Sequence, residues 1–410
     1  MKRSLIIILV LALVIGTSIA AYFLFFANKP GLTTGTTTIG GGTLPSSGQT
    51  SQNASSTEPT IPTIAGGGAP AETPKAVPVS ARLVKIDAGP VVSGEAVTTT
   101  PAKNASSSPE TIVSFIERAS GNVFSYSTLS RAIVRTSNKT IPGVQSATWA
   151  PDGSFAVVQY LSGDDLSTVN SYALQASGAD GFFLPQNLAG VAVSTAGILT
   201  LASGVNNSSA SLARLDGSRA TTVFTTPLSA IRTSFAGKGQ YLAFSKPSAT
   251  LAGGAFIVGS TGRFSRIAGP HTGLVALASP SGKTIFVSYV NESGTMSTEL
   301  VTVATGAVTA LPLGTIADKC VWTADSSAVY CGVPENAPGA LYPDDWYQGA
   351  VSFSDRIWKI NLDGRYAQMV LDFSAETKSA LDAVGLAIDP TGAFLAFVNK
   401  NDGSLWGYSL

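Results

Sequence analysis

From about residue 80 onward, apolar runs of four or five residues alternate with short turns rich in Gly, Pro, Asp and Ser. That rhythm predicts strands and hairpins, because runs of this length between turn residues are too short for helices. One unit recurs: an apolar strand, a four-residue turn and a second apolar strand. It reads Ala147-Thr148-Trp149-Ala150, then the turn Pro151-Asp152-Gly153, then Phe155-Ala156-Val157-Val158. It returns around Ser194-Thr195-Ala196-Gly197, and around Ala236-Gly237-Lys238-Gly239 with Tyr241-Leu242-Ala243-Phe244. Leu274-Val275-Ala276-Leu277, Ser279-Pro280-Ser281-Gly282 and Ile285-Phe286-Val287-Ser288 repeat it, as does Cys320-Val321-Trp322 with Ala324-Asp325-Ser326-Ser327. The last copy is Gly385-Leu386-Ala387-Ile388, Asp389-Pro390-Thr391-Gly392 and Phe394-Leu395-Ala396-Phe397.

Aligned on Gly153, Gly197, Gly239, Gly282, Ser326 and Gly392, the turns are spaced by 44, 42, 43, 44 and 66 residues. A period near 43 is that of one four-stranded propeller blade. The second strand of several hairpins is apolar at consecutive positions, which predicts strands covered on both faces by neighbouring blades. A Gly or small polar residue at each turn suits the positive φ of a tight hairpin. Residues 89–410 then hold seven periods of about 43 once the long spacing is allowed for. The weakest blade is Gly89 to Asn138, with strands at Thr111–Ile116, Asn122–Tyr126 and Ala132–Arg135. The final repeat ends after three strands with Ser404-Leu405-Trp406-Gly407-Tyr408. An orphan strand, Arg82-Leu83-Val84-Lys85-Ile86, is expected to complete it and close the ring, removing an open edge. The fold class is therefore all-β, a seven-bladed β-propeller over residues 81–410.

The N-terminus has a different pattern. Lys2 and Arg3 precede an apolar run from Leu5 to about Phe26, broken only at Gly16, Thr17 and Ser18. Some twenty such residues cross a hydrocarbon core of roughly 30 Å. The charge bias favours a cytoplasmic N-terminus and an exported remainder. Residues 1–26 are read as an uncleaved transmembrane anchor. The competing reading is a signal peptide cut after Ser18-Ile19-Ala20, against which Tyr22-Phe23-Leu24-Phe25-Phe26 prolongs the apolar segment. Either places the remainder outside the cytoplasm, at the cell surface or in a periplasm. Residues 27–80 are Thr, Gly, Ser, Pro and Ala with almost no charge, which predicts a disordered stalk with a reach of roughly 40 Å.

The 410 residues carry 25 basic and 25 acidic side chains, for a formal net charge of zero. With no basic surplus to neutralise phosphates, nucleic acid is not an expected partner. Asn53, Asn104, Asn138, Asn206, Asn207 and Asn291 each begin an N-x-Ser/Thr triplet, a pattern that a Ser/Thr-rich chain produces by chance.

The hairpins Trp149-Ala150-Pro151-Asp152-Gly153, Ala278-Ser279-Pro280-Ser281-Gly282 and Asp389-Pro390-Thr391-Gly392 resemble the repeat of TolB-like, WD40-related propellers. The similarity covers most of residues 140–410 and implies the fold. Together with the N-terminal segment and the Leu341-Tyr342-Pro343-Asp344 loop, the chain looks like membrane-anchored bacterial propellers. The resemblance implies no activity.

The two cysteines, Cys320 and Cys331, lie on the arms of one hairpin. With Ala324–Ser327 as its turn, Thr323 faces Ala328 and the same register sets Cys320 opposite Cys331, within reach of a disulfide. The alternative is a pair of buried thiols. The insertion from Pro334 to about Ile357 is the foremost candidate for binding. Its Tyr342, Asp344, Asp345, Trp346, Tyr347 and Gln348 are expected either to offer an exposed aromatic contact surface with two carboxylates for a cation or basic partner, or to form a lid over the central channel. His271 is the sole histidine, no G-x-S-x-G elbow is present, and Gly253-Gly254 lack the continuation of a phosphate loop. No catalytic residue, metal set or cofactor is expected. The leading expectation is a non-enzymatic, membrane-tethered module that binds protein, peptide or cell-wall glycan. A carbohydrate-active hydrolase or lyase would instead be supported by a cluster of three or more carboxylates and an Arg at the channel mouth. A passive spacer would have a loop with buried aromatics.

Overall fold

The computed structural model describes residues 74–100, 109–362 and 366–410; the expected anchor, and the stalk as far as residue 73, lie outside the described residues. Among the described residues no helix is long and apolar enough to cross a membrane. The chain opens with β1 (Val77–Pro78) and β2 (Leu83–Asp87). The first four-stranded sheet follows as β3 (Ala96–Thr100), β4 (Glu110–Ile116), β5 (Val123–Ser127) and β6 (Ile133–Ser137). The second is β7 (Val144–Trp149), β8 (Phe155–Ser162), β9 (Thr168–Gln175) and β10 (Phe182–Phe183). The third is β11 (Leu188–Ser194), β12 (Gly197–Ser203), β13 (Ser208–Ala213) and β14 (Thr221–Thr226).

A seven-stranded sheet comes next: β15 (Ile231–Phe235), β16 (Tyr241–Ser245), β17 (Ala252–Val258), β18 (Phe264–Ala278), β19 (Thr284–Val290), β20 (Met296–Thr302) and β21 (Val308–Leu311). Its 15-residue β18 pairs first with β17 and then, past an irregularity between Thr272 and Val275, with β19. Another four-stranded sheet contains β22 (Cys320–Trp322), β23 (Ala328–Pro334), β24 (Asp355–Asn361) and β25 (Ala367–Asp372). The last contains β26 (Ala383–Ile388), β27 (Phe394–Asn399) and β28 (Leu405–Ser409), to which β2 and then β1 are added.

The repeated turn has the conformation its composition demands. All six aligned positions have positive φ: Gly153 70°, Gly197 139°, Gly239 68°, Gly282 70°, Ser326 63° and Gly392 72°. Ser326 is the one side chain in this left-handed position. Its hairpin is held by Asp325 Oδ1, which accepts from the Ser327 N–H at 3.0 Å. In the same hairpin Cys320 faces Cys331, and a disulfide joins them.

The second strand of each hairpin is buried at successive positions, as in β16 (Tyr241–Phe244) and β27. Alternating burial would mean one covered face; continuous burial means two. The cores accordingly lie between neighbouring sheets. Val123, Trp149 and Tyr172 pack between the first and second sheets, and Phe155, Leu184 and Ile198 between the second and third. Leu201, Phe224 and Tyr241 continue the series. Phe286, Trp322 and Val329 join the seven-stranded sheet to the next, and Tyr330, Ile357 and Phe397 join that one to the last. The ring closes where Ile86 and Phe394 of the last sheet meet Val113, Phe115 and Phe124 of the first.

Closure depends on β2, which pairs antiparallel with β28 from Leu83 opposite Tyr408 to Asp87 opposite Leu405. Val77 and Pro78, assigned to the stalk from composition, instead pair with Lys85 and Val84. The physical reason is that β2 leaves an unpaired outer edge, and the chain before it folds back to cover that edge. Leu83 and Ile86 are 1% and 0% exposed. Burying two such side chains stabilises by roughly 3–6 kcal/mol. Deleting residues 81–88 should therefore lower the melting temperature by at least about 5 °C, read by calorimetry. An unchanged value would mean that β2 contributes nothing to closure.

Candidate functional site

The 66-residue spacing has its origin between β23 and β24, where residues 335–354 leave the sheet and form one helical turn, Asp344–Tyr347. This insertion is a lid. Tyr342 and Trp346 are each 4% exposed. Their ring centroids lie 5.7 and 6.1 Å from that of Phe353. The Tyr342 hydroxyl donates to the Pro338 carbonyl. Asp344 accepts from the Ala249 N–H at 3.1 Å, and Asp345 from the Leu341 N–H at 2.8 Å. Tyr347, 40% exposed, donates its hydroxyl to Asp318 at 2.7 Å. Arg232 grips the same carboxylate through two nitrogens at 2.7 and 2.9 Å. Gln348 is exposed. At Gly273, with φ of 64°, a Cβ would lie 2.9 Å from the Tyr342 carbonyl oxygen, so only glycine lets the lid seat this closely.

These contacts correct the expectation of an exposed aromatic surface at Tyr342 and Trp346. The rings bury more favourably against Phe353 than they would stand in water. Asp344 and Asp345 satisfy backbone N–H groups, and no group of three or more His, Cys, Asp and Glu suited to a metal occurs among the described residues. Tyr347 and Gln348 alone of the six reach solvent substantially.

Beneath the lid is a buried ionic cluster that the sequence did not reveal. Lys319 ends a 3₁₀ turn (Ala317–Lys319) just ahead of β22, and its side chain is 0% exposed. Its Nζ lies 2.8 Å from Asp355 Oδ2, contacts Asp382 Oδ1, and donates to the Ala383 carbonyl at 3.0 Å. Asp382 Oδ2 accepts from Trp346 Nε1 at 2.9 Å and from the Phe353 N–H at 3.0 Å. Asp355 Oδ2 also accepts from the Ala383 N–H at 2.7 Å. Lys319 and Lys400 each place their ammonium about 5 Å from the Trp346 ring centroid. The cluster ties lid, β24 and the start of β26 together.

The lid sits where the first strands β15, β22 and β26 begin, through Arg232, Asp318, Lys319 and Asp382. These first strands pack on one another around the ring, β7 on β11, β11 on β15, β22 on β26 and β26 on β3. At the other end they finish in the repeated turns, and there a cavity of about 850 Å³ opens. Its wall takes Phe235, Leu277, Trp322 and Leu386 from the first strands β15, β18, β22 and β26, and Pro151 and Ala196 from the turns that follow β7 and β11. Among the described residues no carboxylate and no Arg lines it, and Lys238 is the one charged residue there. His271 lies elsewhere, stacked on Tyr289 with centroids 4.3 Å apart.

No protein-family model matches the sequence, and no curated protein matches it. Solved structures do. An oligogalacturonate lyase in complex with manganese is 9% identical, with a TM-score of 0.55 over 83% of this chain and 96% of that one. The β-propeller domain of the trilobed protease from Pyrococcus furiosus is 8% identical, with a TM-score of 0.50 over 77% and 93%. The WD40 repeats of RRP9 are 10% identical, with a TM-score of 0.50 over 83% and 99%. At these identities the likeness is one of fold: the chain is a β-propeller.

Burial, opposed by Lys319 and reinforced by Asp382, pushes the Asp355 carboxyl up to about 6. An unfolded aspartate titrates near 3.9. The folded state thus holds this proton more tightly than the unfolded chain does. The resulting stabilisation is complete below about pH 4 and is lost as pH rises through about 6. Asp355→Asn, which keeps the shape without the charge, should therefore gain in melting temperature relative to the native chain between about pH 5 and 7.5. A difference that stays constant across this range would mean that Asp355 does not titrate within it. Asp382→Ala removes the acceptor for Trp346 and Phe353 and half of the compensation of Lys319. It should destabilise by roughly 3–5 kcal/mol and expose residues 335–354 to limited proteolysis.

Proposed function

We propose that this chain is a membrane-tethered, extracytoplasmic binding module, without chemistry of its own, built on a seven-bladed propeller. The seven-stranded sheet counts as two blades divided within β18, and the remaining five sheets supply one each. The apolar run at residues 5–26 supports the tether, and the disulfide between Cys320 and Cys331 fits an oxidising compartment.

The observation that carries the binding reading is the asymmetry of the channel ends. One is closed by a lid held on an ionic cluster; the other opens as an apolar cavity of about 850 Å³, within the size range of ligand pockets. Tyr342 and Trp346 belong to the lid, so recognition moves from the aromatic loop to the turn face. The lyase likeness is one of fold, and among the described residues the cavity has none of the carboxylates that would support a hydrolase or lyase reading.

Affinity capture from cell-envelope extracts tests this reading. Ala196→Trp, at an exposed turn position, should fill the mouth and abolish capture of a partner, protein or glycan, that the native chain retains. Tyr347→Ala on the lid face should leave capture unchanged. The opposite pattern would place recognition on the lid.

A further inference from the structure

We infer that the open cavity binds a free long-chain carboxylic acid, its hydrocarbon tail along the apolar wall and its carboxylate at Lys238. This rests on the turn-face mouth being the binding site and names what the mouth would take.

The wall offers a ligand little to hydrogen-bond, because its polar side chains are already engaged. Ser279 Oγ accepts from the Thr284 N–H at 3.2 Å and pairs with Ser281 Oγ. Ser194 Oγ accepts from the Ala196 N–H at 3.1 Å. Trp322 Nε1 donates to the Leu277 carbonyl at 3.3 Å, and Cys320 is in its disulfide. The exposed Lys238 ammonium and Thr195 hydroxyl remain, neither with a side-chain partner among the described residues. Phe235, Leu277, Pro280, Val321, Trp322 and Leu386 supply the apolar surface.

A sugar or a polar peptide would lose hydration here without finding donors and acceptors in return. A hydrocarbon chain loses nothing of the kind and gains from every methylene buried. Among the described residues the rim carries one cation, Lys238, and the wall no carboxylate, so the favoured head group is a single negative charge. Lys238 lies in a hairpin turn, so the head would stay at the solvent boundary while the tail enters, the arrangement a carboxylate prefers.

The test is photolabelling of the full chain with a diazirine-bearing palmitate analogue, with adducts mapped by mass spectrometry. Adducts are expected on residues 194–196, 235–238, 277–280 and 320–322, competed by palmitate and lost in Ala196→Trp. The methyl ester of palmitate should compete about two- to five-fold more weakly, the range of one exposed ion pair. Lys238→Ala should remove that difference. Adducts that persist in Ala196→Trp would overturn the location. Equal competition by acid and ester in the native chain would overturn the role of Lys238. Equal labelling of the same peptides by a photoactivatable phosphatidylcholine would overturn the free acid. If the native chain takes no label there while Ala196→Trp still abolishes envelope capture, the ligand class fails and the mouth stands as the binding site. If neither label nor capture depends on Ala196, both readings fail.

Discussion

A sheet that buries both of its faces must have a neighbour on each side, and only a closed ring supplies one for every sheet. This constraint organises the molecule. The runs of consecutive buried residues in β8, β12, β16, β19, β23 and β27 are stable only between two other sheets. The last sheet would otherwise end at β28 with an unpaired edge. Its completion by β2, from the opposite end of the domain, makes closure a contact between residues more than 300 apart in the chain, as when Arg82 Nε donates to the Ser409 carbonyl with a separation of 327. Non-local closure of this kind gives a single cooperative unit in place of a row of independent hairpins.

A ring leaves an axis, and the two ends of this one are finished differently. At one end the insertion between β23 and β24 contributes Trp346 and Phe353 as ceiling and receives Lys319, Asp355 and Asp382 as floor. Such a buried ionic group adds little net stability over an apolar replacement of the same shape. What it supplies is position, since Asp382 can accept from both Trp346 and Phe353 only when the lid has one placement. At the other end the first strands run into turns, and among the described residues the cavity between them is open. Zero net charge over the whole chain removes long-range steering and leaves recognition there to shape, apolar contact and one local cation.

Sequence periodicity by itself determined the repeated unit. The interval between turns, the positive-φ positions at Gly153, Gly197, Gly239, Gly282, Ser326 and Gly392, and the facing of Cys320 and Cys331 were all legible, because each depends on residues a few places apart. The strand at residues 82–86 was legible by elimination, as an apolar strand without a local partner beside a sheet lacking one. Other strands were not, and two show why. The Ala-Val-Thr-Thr-Thr of β3 carries little apolar signal, since only Ala96 and Val97 of its five residues are buried. The passage of β18 from one half of its sheet to the next is set by where β17 and β19 lie.

The state of the insertion was decided by tertiary structure alone. Tyr342, Asp344, Asp345, Trp346, Tyr347 and Gln348 read equally well as an exposed surface or a lid, because exposure depends on what an aromatic ring meets and not on its neighbours in sequence. Trp346 meets Asp382, 36 residues away, and Lys319 meets the same carboxylate across 63. Nothing local marks Lys319 as buried; an isolated lysine before a strand is ordinarily solvated. The cavity is likewise a property of several hairpins brought to one axis, and no single hairpin contains it. Local pattern specified the strands, their turns and their disulfide; closure of the ring specified which end of its axis is sealed and which is open.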